Sequence, residues 1–461
     1  MSYFPVTNEQ PNTNSSAPSV ARVEISAAKP RALRIALLGY RSHPHVGGQG
    51  IYLQYLSKVL VELGHSVDVI SGPPYPELDP RVRLIQLPSL DLYAHPNPTR
   101  ALRPKHFLSL ADFYEWWSKL SGAFGEPYSF GRRLRAYFKK HKPQYDIVHD
   151  NQSLCYGLLD LQKCGVNIVA TVHHPITQDR DLALAAATEK GQRWLINRWY
   201  SFLAMQKNVV QQLSHVITVS QQSQRDIAAA FDRPAQNIQV IPNGVDTSIF
   251  KPLDNISRTP FRLITTASSD QPLKGLSVLL RALAQLRSEF PELHLIVIGK
   301  LKENGETQKE LQTLNLQDVV QFKSGISNQQ LVEEYAQASI AIVPSLYEGF
   351  GLPAAEAMAC AVPLICSDGG ALPEVVGDAA RLVRAGNVDE LQNALRELLI
   401  DENAREHLGS QGRAHILQQL SWDCVGKKME AYYHHMLQQL AQGDAVEDRK
   451  LSREQIQNAY D

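Results

Sequence analysis

Two glutamates eight positions apart, Glu348 and Glu356, frame a loop of Gly349, Phe350, Gly351, Leu352 and Pro353. A carboxylate ahead of such a loop can accept hydrogen bonds from hydroxyl groups or stabilise a developing positive centre. One behind it, in the opening turns of a helix, can hold a second set of hydroxyls. Gly349 and Gly351 let the backbone turn sharply and approach a ligand closely. Pro353 suits a first helical turn, and the stretch from Ala354 to Ala359 continues as a strong helix. Ile340 to Val343 is a short apolar run that reads as a central parallel strand. A helix start at the carboxyl end of a strand presents free N–H groups and a positive dipole end, so it suits a phosphate. One acidic residue near a helix start is common in any protein; the pair around a glycine loop is the stronger signal.

Other chemistry-bearing residues fall at element ends. His173 closes the run Thr171, Val172, His173 at the carboxyl end of an expected strand, where open sheets place ligand-contacting groups. A lone histidine is equally often structural. Gly47, Gly48 and Gly50 follow the first strand. Their spacing is not GxGxxG and the loop is too long for a dinucleotide turn. They read as a phosphate or acceptor loop, with a plain tight turn as the alternative. Asp179 and Asp181 look like a metal-binding DxD pair, but aspartates before an alanine-rich stretch are mostly N-caps, and no strand delivers them. No metal is expected.

These residues need elements to hold them. The 461 residues allow two or three domains. A composition 44% hydrophobic and 20% charged suits a globular protein with full cores. The formal net charge of −1 offers no field for nucleic acid. Five cysteines without CxxC spacing read as reduced thiols in a cytoplasmic protein, Cys360 and Cys366 as small buried apolar groups. No apolar run reaches the length of a membrane span.

Along the chain, 1–32 reads as a disordered tail. From Arg34 the pattern is strand, glycine loop, helix, strand, the opening of a doubly wound sheet. Strands are expected at 66–71, 145–149, 167–173, 215–220 and 238–241. Residues 93–142 interrupt them with aromatics and bases, which read as amphipathic helices with aromatics inside and bases outside; contact with a membrane surface or an acceptor is the alternative. Residues 33–246 form a first domain, 247–260 a linker, and 261–421 a second α/β domain that repeats the layout. A helix over 422–441 is long enough to cross back to the first domain, and 442–461 is a polar tail.

With these pieces placed, the chain resembles the family-4 retaining glycosyltransferases over roughly 33–441. The resemblance rests on Gly47 and Gly48 after the first strand, Thr171 to His173, Pro242-Asn243-Gly244-Val245-Asp246, Lys274-Gly275, and Glu348 to Glu356. It implies a GT-B fold: two Rossmann-like doubly wound α/β domains facing a cleft, with a C-terminal helix crossing back. It implies metal-independent transfer of a sugar from a nucleotide-sugar donor to a glycan, lipid or small-molecule acceptor, with retention and no cofactor. Lys274 would meet the diphosphate as a point charge. The backbone of Gly349, Phe350, Gly351 and Leu352 would supply N–H groups. Glu348 would accept from donor-sugar hydroxyls, Glu356 would hold the ribose, and His173 would face the sugar from the first lobe. Two departures stand out. Ser268 occupies the position, six residues before the lysine, where an arginine is common. The second sits at Gly299-Lys300, where a Gly-x-Gly loop is usual, and Lys300 is expected to replace part of the missing charge. The alternatives are a GT-B epimerase or sugar phosphorylase, or a catalytically impaired nucleotide-sugar-binding protein. Peripheral contact with the inner membrane surface stays open.

Overall fold

The computed structural model describes residues 31–44, 48–94, 97 and 109–457. Gly47, the expected N-terminal tail up to residue 30, and residues 98–108 of the aromatic excursion lie outside the described residues. Seven strands build the first sheet: β1 Arg34–Gly39, β2 Ser66–Ser71, β3 Arg83–Gln86, β4 Ile147–Asn151, β5 Ile168–Val172, β6 His215–Thr218 and β7 Ile238–Val240. Six build the second: β8 Arg262–Thr266, β9 His294–Ile298, β10 Val320–Lys323, β11 Ile340–Val343, β12 Leu364–Ser367 and β13 Arg381–Val383. The spatial orders are β3-β2-β1-β4-β5-β6-β7 and β10-β9-β8-β11-β12-β13. Every described pairing is parallel.

Strand order reverses between β1 and β4 in the first sheet, and between β8 and β11 in the second. Such a switch point opens a crevice at the carboxyl ends of the strands, because the flanking connections leave in opposite directions. The central strands are continuous apolar runs because helices cover both faces. Leu37 and Leu38 of β1 are fully buried on opposite faces, one in each of the first lobe's two core clusters. Truncating either to alanine costs about 2–5 kcal/mol.

The edge strand β3 is not legible in the sequence; Arg83 and Gln86 are exposed and its pattern is barely amphipathic. The aspartates of the DxD pair are not N-caps. Ile176 occupies that position of helix Thr177–Ala186, Asp179 lies in its first turn, and Asp181 pairs with its neighbour Arg180. The 93–142 excursion forms helices Leu110–Leu120 and Glu126–His141. The second buries Phe130 and Phe138 as expected. The first is inverted: Phe113, Tyr114 and Trp117 face outward and Glu115 faces inward. Arg133 pairs with the buried carboxylate at 2.7 Å and Ser129 donates to it at 3.0 Å. Such partners are what make a buried charge tolerable.

The chain crosses between the sheets twice, side by side. Val245 N–H donates to the Leu420 carbonyl at 2.7 Å, and Trp422 N–H to the Val245 carbonyl at 3.2 Å. A Cβ on Gly244 would lie 2.5 Å from the Trp422 ring, so glycine permits this crossing. The closing helix, Trp422–Gln457, runs past the expected end at 441. It buries Val425, Met429, Tyr433 and Met436 in one core with Ile35 and Leu37. The second half of the chain is thereby anchored to the first sheet. Among the described residues, no helix is long and apolar enough to cross a membrane. All five cysteines are free thiols, Cys360 and Cys366 buried.

Candidate functional site

A cleft of about 830 Å³ opens at the carboxyl ends of both sheets. Its walls include Gly48, Tyr52, Gln152 and His173 from the first lobe, and Lys274, Glu348 to Pro353 and Glu356 from the second. Asp246 and Trp422 line it beside the double crossing.

Two loops place the charged pair of the second lobe. After β8, a short 3-10 turn over Pro272–Lys274 ends at Gly275, whose φ is +65°. A Cβ there would lie 1.9 Å from the Pro344 carbonyl oxygen, so both conformation and space require glycine. Leu346 N–H donates to the Leu273 carbonyl at 2.8 Å, joining this turn to the loop after β11. The Lys274 ammonium therefore meets the Glu348 carboxylate at 2.7 Å. Ser345 Oγ donates to the same oxygen at 2.9 Å. Gly370 holds the other side: a Cβ would strike the Glu348 carbonyl at 2.2 Å.

Gly351, with φ +103°, starts helix Leu352–Ala359, and Pro353 lies in its first turn. Glu356 is one turn further on, half-buried on the cleft wall. Burial pushes its carboxyl up to about 8, because a low-dielectric surrounding disfavours the charged form. Its side chain has no hydrogen-bond or ion-pair partner among the described residues, so nothing local offsets the cost of its charge.

Across the cleft, His173 leaves β5. Its backbone N–H donates to Gln152 Oε1 at 2.7 Å, and Gln152 Nε2 donates to the His174 carbonyl at 2.9 Å. Gln152 has φ +54°, a strained value for a side-chain-bearing residue. Buried Asp150 holds that loop by accepting from Leu154 N–H at 2.9 Å and from Ser153 Oγ. His173 Nε2 lies 2.8 Å from Asn151 Oδ1. Asn151 Nδ2 donates to the Gln49 carbonyl at 2.9 Å, which leaves its oxygen for the histidine. Nε2 is then the protonated nitrogen and Nδ1 carries the lone pair. Burial, with His174 nearby, lowers the imidazole pKa to about 3, so it is neutral at physiological pH.

Lys274, Glu348, Gly349, Phe350, Gly351, Leu352, Glu356, His173 and Gly48 thus all line one cleft. Ser268 and Lys300 do not: both are exposed, past the ends of β8 and β9, and neither is on the cleft wall. Gly299 has a packing reason, since a Cβ would lie 2.1 Å from the Ala267 carbonyl oxygen. Gln152, Tyr52 and Trp422 also line the cleft, and Asn151 bonds its histidine. Asn151 and Gln152 lie at the carboxyl end of β4, and the argument that selected His173 applies to them equally.

Known proteins bear on this geometry. The chain matches the family model described as Glycosyltransferase Family 4 over 46–249, and that described as Glycosyl transferases group 1 over 254–415. It is 45% identical over 417 residues to the MMP α-(1→4)-mannosyltransferase of Mycolicibacterium hassiacum, covering 89% of this chain and 100% of that one. It is 26% identical to the D-inositol 3-phosphate glycosyltransferase of Kribbella flavida, covering 88% and 97%. Among solved structures, sucrose-phosphate synthase from Thermosynechococcus elongatus superposes with a TM-score of 0.63 at 24% identity, covering 87% of this chain and 98% of that one. Anabaena HepE in complex with UDP gives 0.63 at 17%, covering 87% and 100%. The twin switch-point sheets share the fold of these two proteins, and with 45% identity to a mannosyltransferase across that relative's whole length, the chain belongs to the family-4, GT-B-fold glycosyltransferases.

Proposed function

We propose that this enzyme transfers mannose from a nucleotide-sugar to the 4-hydroxyl of a glycan acceptor, with retention and without a metal ion. The observation that carries the reading is the Lys274–Glu348 pair at the mouth of helix Leu352–Ala359, with neutral His173 on the opposite wall of one cleft. The mannosyl group and the α-(1→4) linkage rest on the name of the 45% identical relative. The nucleotide-sugar donor is supported by the HepE structures, which contain UDP or UDP-glucose.

In this reading the diphosphate takes the Lys274 ammonium and the free N–H groups of the helix tip. Glu348 is released from the lysine to accept hydrogen bonds from sugar hydroxyls and to stabilise positive charge at the anomeric carbon. His173 Nδ1 accepts from a further hydroxyl. Glu356 accepts from the ribose. The bond from the anomeric carbon to the phosphate oxygen breaks with its electron pair going to phosphate. The acceptor oxygen bonds the same face, and its proton passes to the departing phosphate oxygen. Among the described residues, no group of three His, Cys, Asp or Glu side chains is arranged to hold a metal ion. The leaving-group charge then falls to Lys274 and the helix tip.

The test is a donor panel of GDP-mannose, UDP-glucose and ADP-glucose with an α-mannoside acceptor, run with EDTA, the product anomer read by NMR. An α-(1→4)-linked mannosyl product from GDP-mannose supports the proposal; a product from UDP-glucose or ADP-glucose alone overturns its choice of sugar. An inverted product, or activity only with added magnesium or manganese, overturns the mechanism. Donor consumption without acceptor would mark an epimerase or phosphorylase. A thermal shift without turnover would mark a binding protein. The free thiols suit a cytoplasmic site. Exposed Trp117 and Trp194, 54% and 61% accessible, give the first lobe an apolar face that would meet a membrane carrying the acceptor. Sedimentation with anionic vesicles tests that contact.

A further inference from the structure

The donor loop of the second lobe is gripped by the first. Helix Gln221–Phe231 follows β6, and its amino end faces the loop after β11. Ser220 Oγ and Ser223 Oγ donate to the Gly349 carbonyl at 2.9 and 3.0 Å. Tyr347 OH donates to Asp226 Oδ2. The grip is reciprocal. Glu374 of the second lobe accepts from the backbone N–H groups of Gln221 and Gln222, at 2.6 and 2.8 Å. First-turn N–H groups have no partner within their own helix, and a carboxylate complements them in charge as well as in hydrogen bonding. Val219 and Phe350 share a buried apolar cluster beside the contact. Residues 347 and 349, on either side of Glu348, are therefore both tied to the opposite lobe.

We propose that Ser220, Ser223 and Asp226 are positioning residues for Glu348, and that with Glu374 they form a clasp through which lobe closure sets the donor loop in its working shape. The consequence is specific. Glu348 belongs to the second sheet, yet its geometry depends on hydroxyl donors from the first. The loop would bind a nucleotide with the clasp open, but the carboxylate would be correctly aimed only with it closed. The chain itself joins the lobes at the double crossing of Val245 and Trp422, whereas the clasp joins them by side-chain hydrogen bonds that can open. The role assigned to Glu348 rests on the proposed transfer reaction; the clasp itself does not.

The experiment uses the full chain carrying Ser223→Ala, Tyr347→Phe and Glu374→Ala together. Ser220 is left in place because it also caps its own helix by accepting from Ser223 N–H, and loss of a cap would itself destabilise that helix. Circular dichroism verifies folding. Small-angle scattering gives the radius of gyration, titration with GDP and UDP gives nucleotide affinity, and steady-state kinetics give kcat. Expected are a larger radius, nucleotide affinity within twofold of the parent, and kcat lower by at least about tenfold, the equivalent of one or two net hydrogen bonds lost from the transition state. The single variant Glu374→Gln, which keeps one good acceptor oxygen, should fall between parent and triple variant. An unchanged radius, or nucleotide affinity falling in step with kcat, overturns the proposal. If the parent transfers no sugar, the transfer reading fails by itself, and the radius alone decides whether the clasp closes the lobes.

Discussion

The Lys274 ammonium and the Glu348 carboxylate lie 2.7 Å apart, the lysine one-third exposed and the glutamate largely enclosed. One residue follows β8 and the other β11, neighbouring strands at the switch point of the second sheet. Each holds the other in place, and in the proposed transfer each takes a separate task once a diphosphate competes for the lysine. Removing the two charges should therefore have different effects. Glu348→Gln should lower kcat by about 10²–10³, as for loss of one preorganised transition-state contact, with nucleotide affinity near that of the parent. Lys274→Ala should weaken nucleotide binding as well as turnover. Calorimetric titration with GDP and UDP beside steady-state kinetics separates the two; equal losses in both for Glu348→Gln would make that residue a binding group only.

Glu356 supplies a pH dependence. Burial holds its carboxyl near 8, so at pH 7 most molecules carry it protonated. Accepting two ribose hydroxyls needs the ionised form. Donor affinity should therefore rise as pH goes from 7 to 9, and binding at pH 7 should release a proton. Titration in buffers of differing ionisation enthalpy measures that release, which Glu356→Gln should abolish. The stability sign is opposite. The folded state holds the proton between the ordinary carboxyl range and about pH 8, so this group destabilises the fold as pH rises through that window.

Asn151 determines which face of His173 is basic. The parent should show no titration of His173 above pH 5, because its pKa lies near 3. Asn151→Asp places a carboxylate against Nε2–H and favours the imidazolium, whose Nδ1–H can no longer accept a hydroxyl. In this variant kcat/KM should fall as pH drops below the raised pKa. A pH–rate profile superimposable on the parent's would remove Asn151 from this role.

Lys300 gives a prediction of the opposite kind. Its exposed position off the cleft wall leaves it no evident route to the diphosphate. Lys300→Ala should leave nucleotide affinity within twofold of the parent; a tenfold loss would return Lys300 to the site as the substitute for the arginine that Ser268 replaces.

The residues that the structure gathers on one cleft wall were legible because each follows a strand and obeys a local rule. Gly349, Gly351 and Pro353 announce a turn and a helix start wherever they occur, and the apolar run before them needs no partner to be recognised as buried. The same locality explains the two aspartates at 179 and 181, where the N-cap reading failed by only a few residues. Glu115 shows the limit: a carboxylate on an aromatic-rich helix reads as solvated, and Arg133 and Ser129, folded against it from the next helix, allow burial.

The sequence alone determined two parallel α/β lobes and a glycine loop bounded by Glu348 and Glu356, because backbone propensity and apolar periodicity act over a few residues. Only the tertiary structure decided that Lys274 pairs with Glu348, that Asn151 orients His173, and that Ser220 and Ser223 reach across to the Gly349 carbonyl. Those contacts join residues 22 to 129 positions apart, and their geometry is set by where two sheets come to rest rather than by any pattern along the chain.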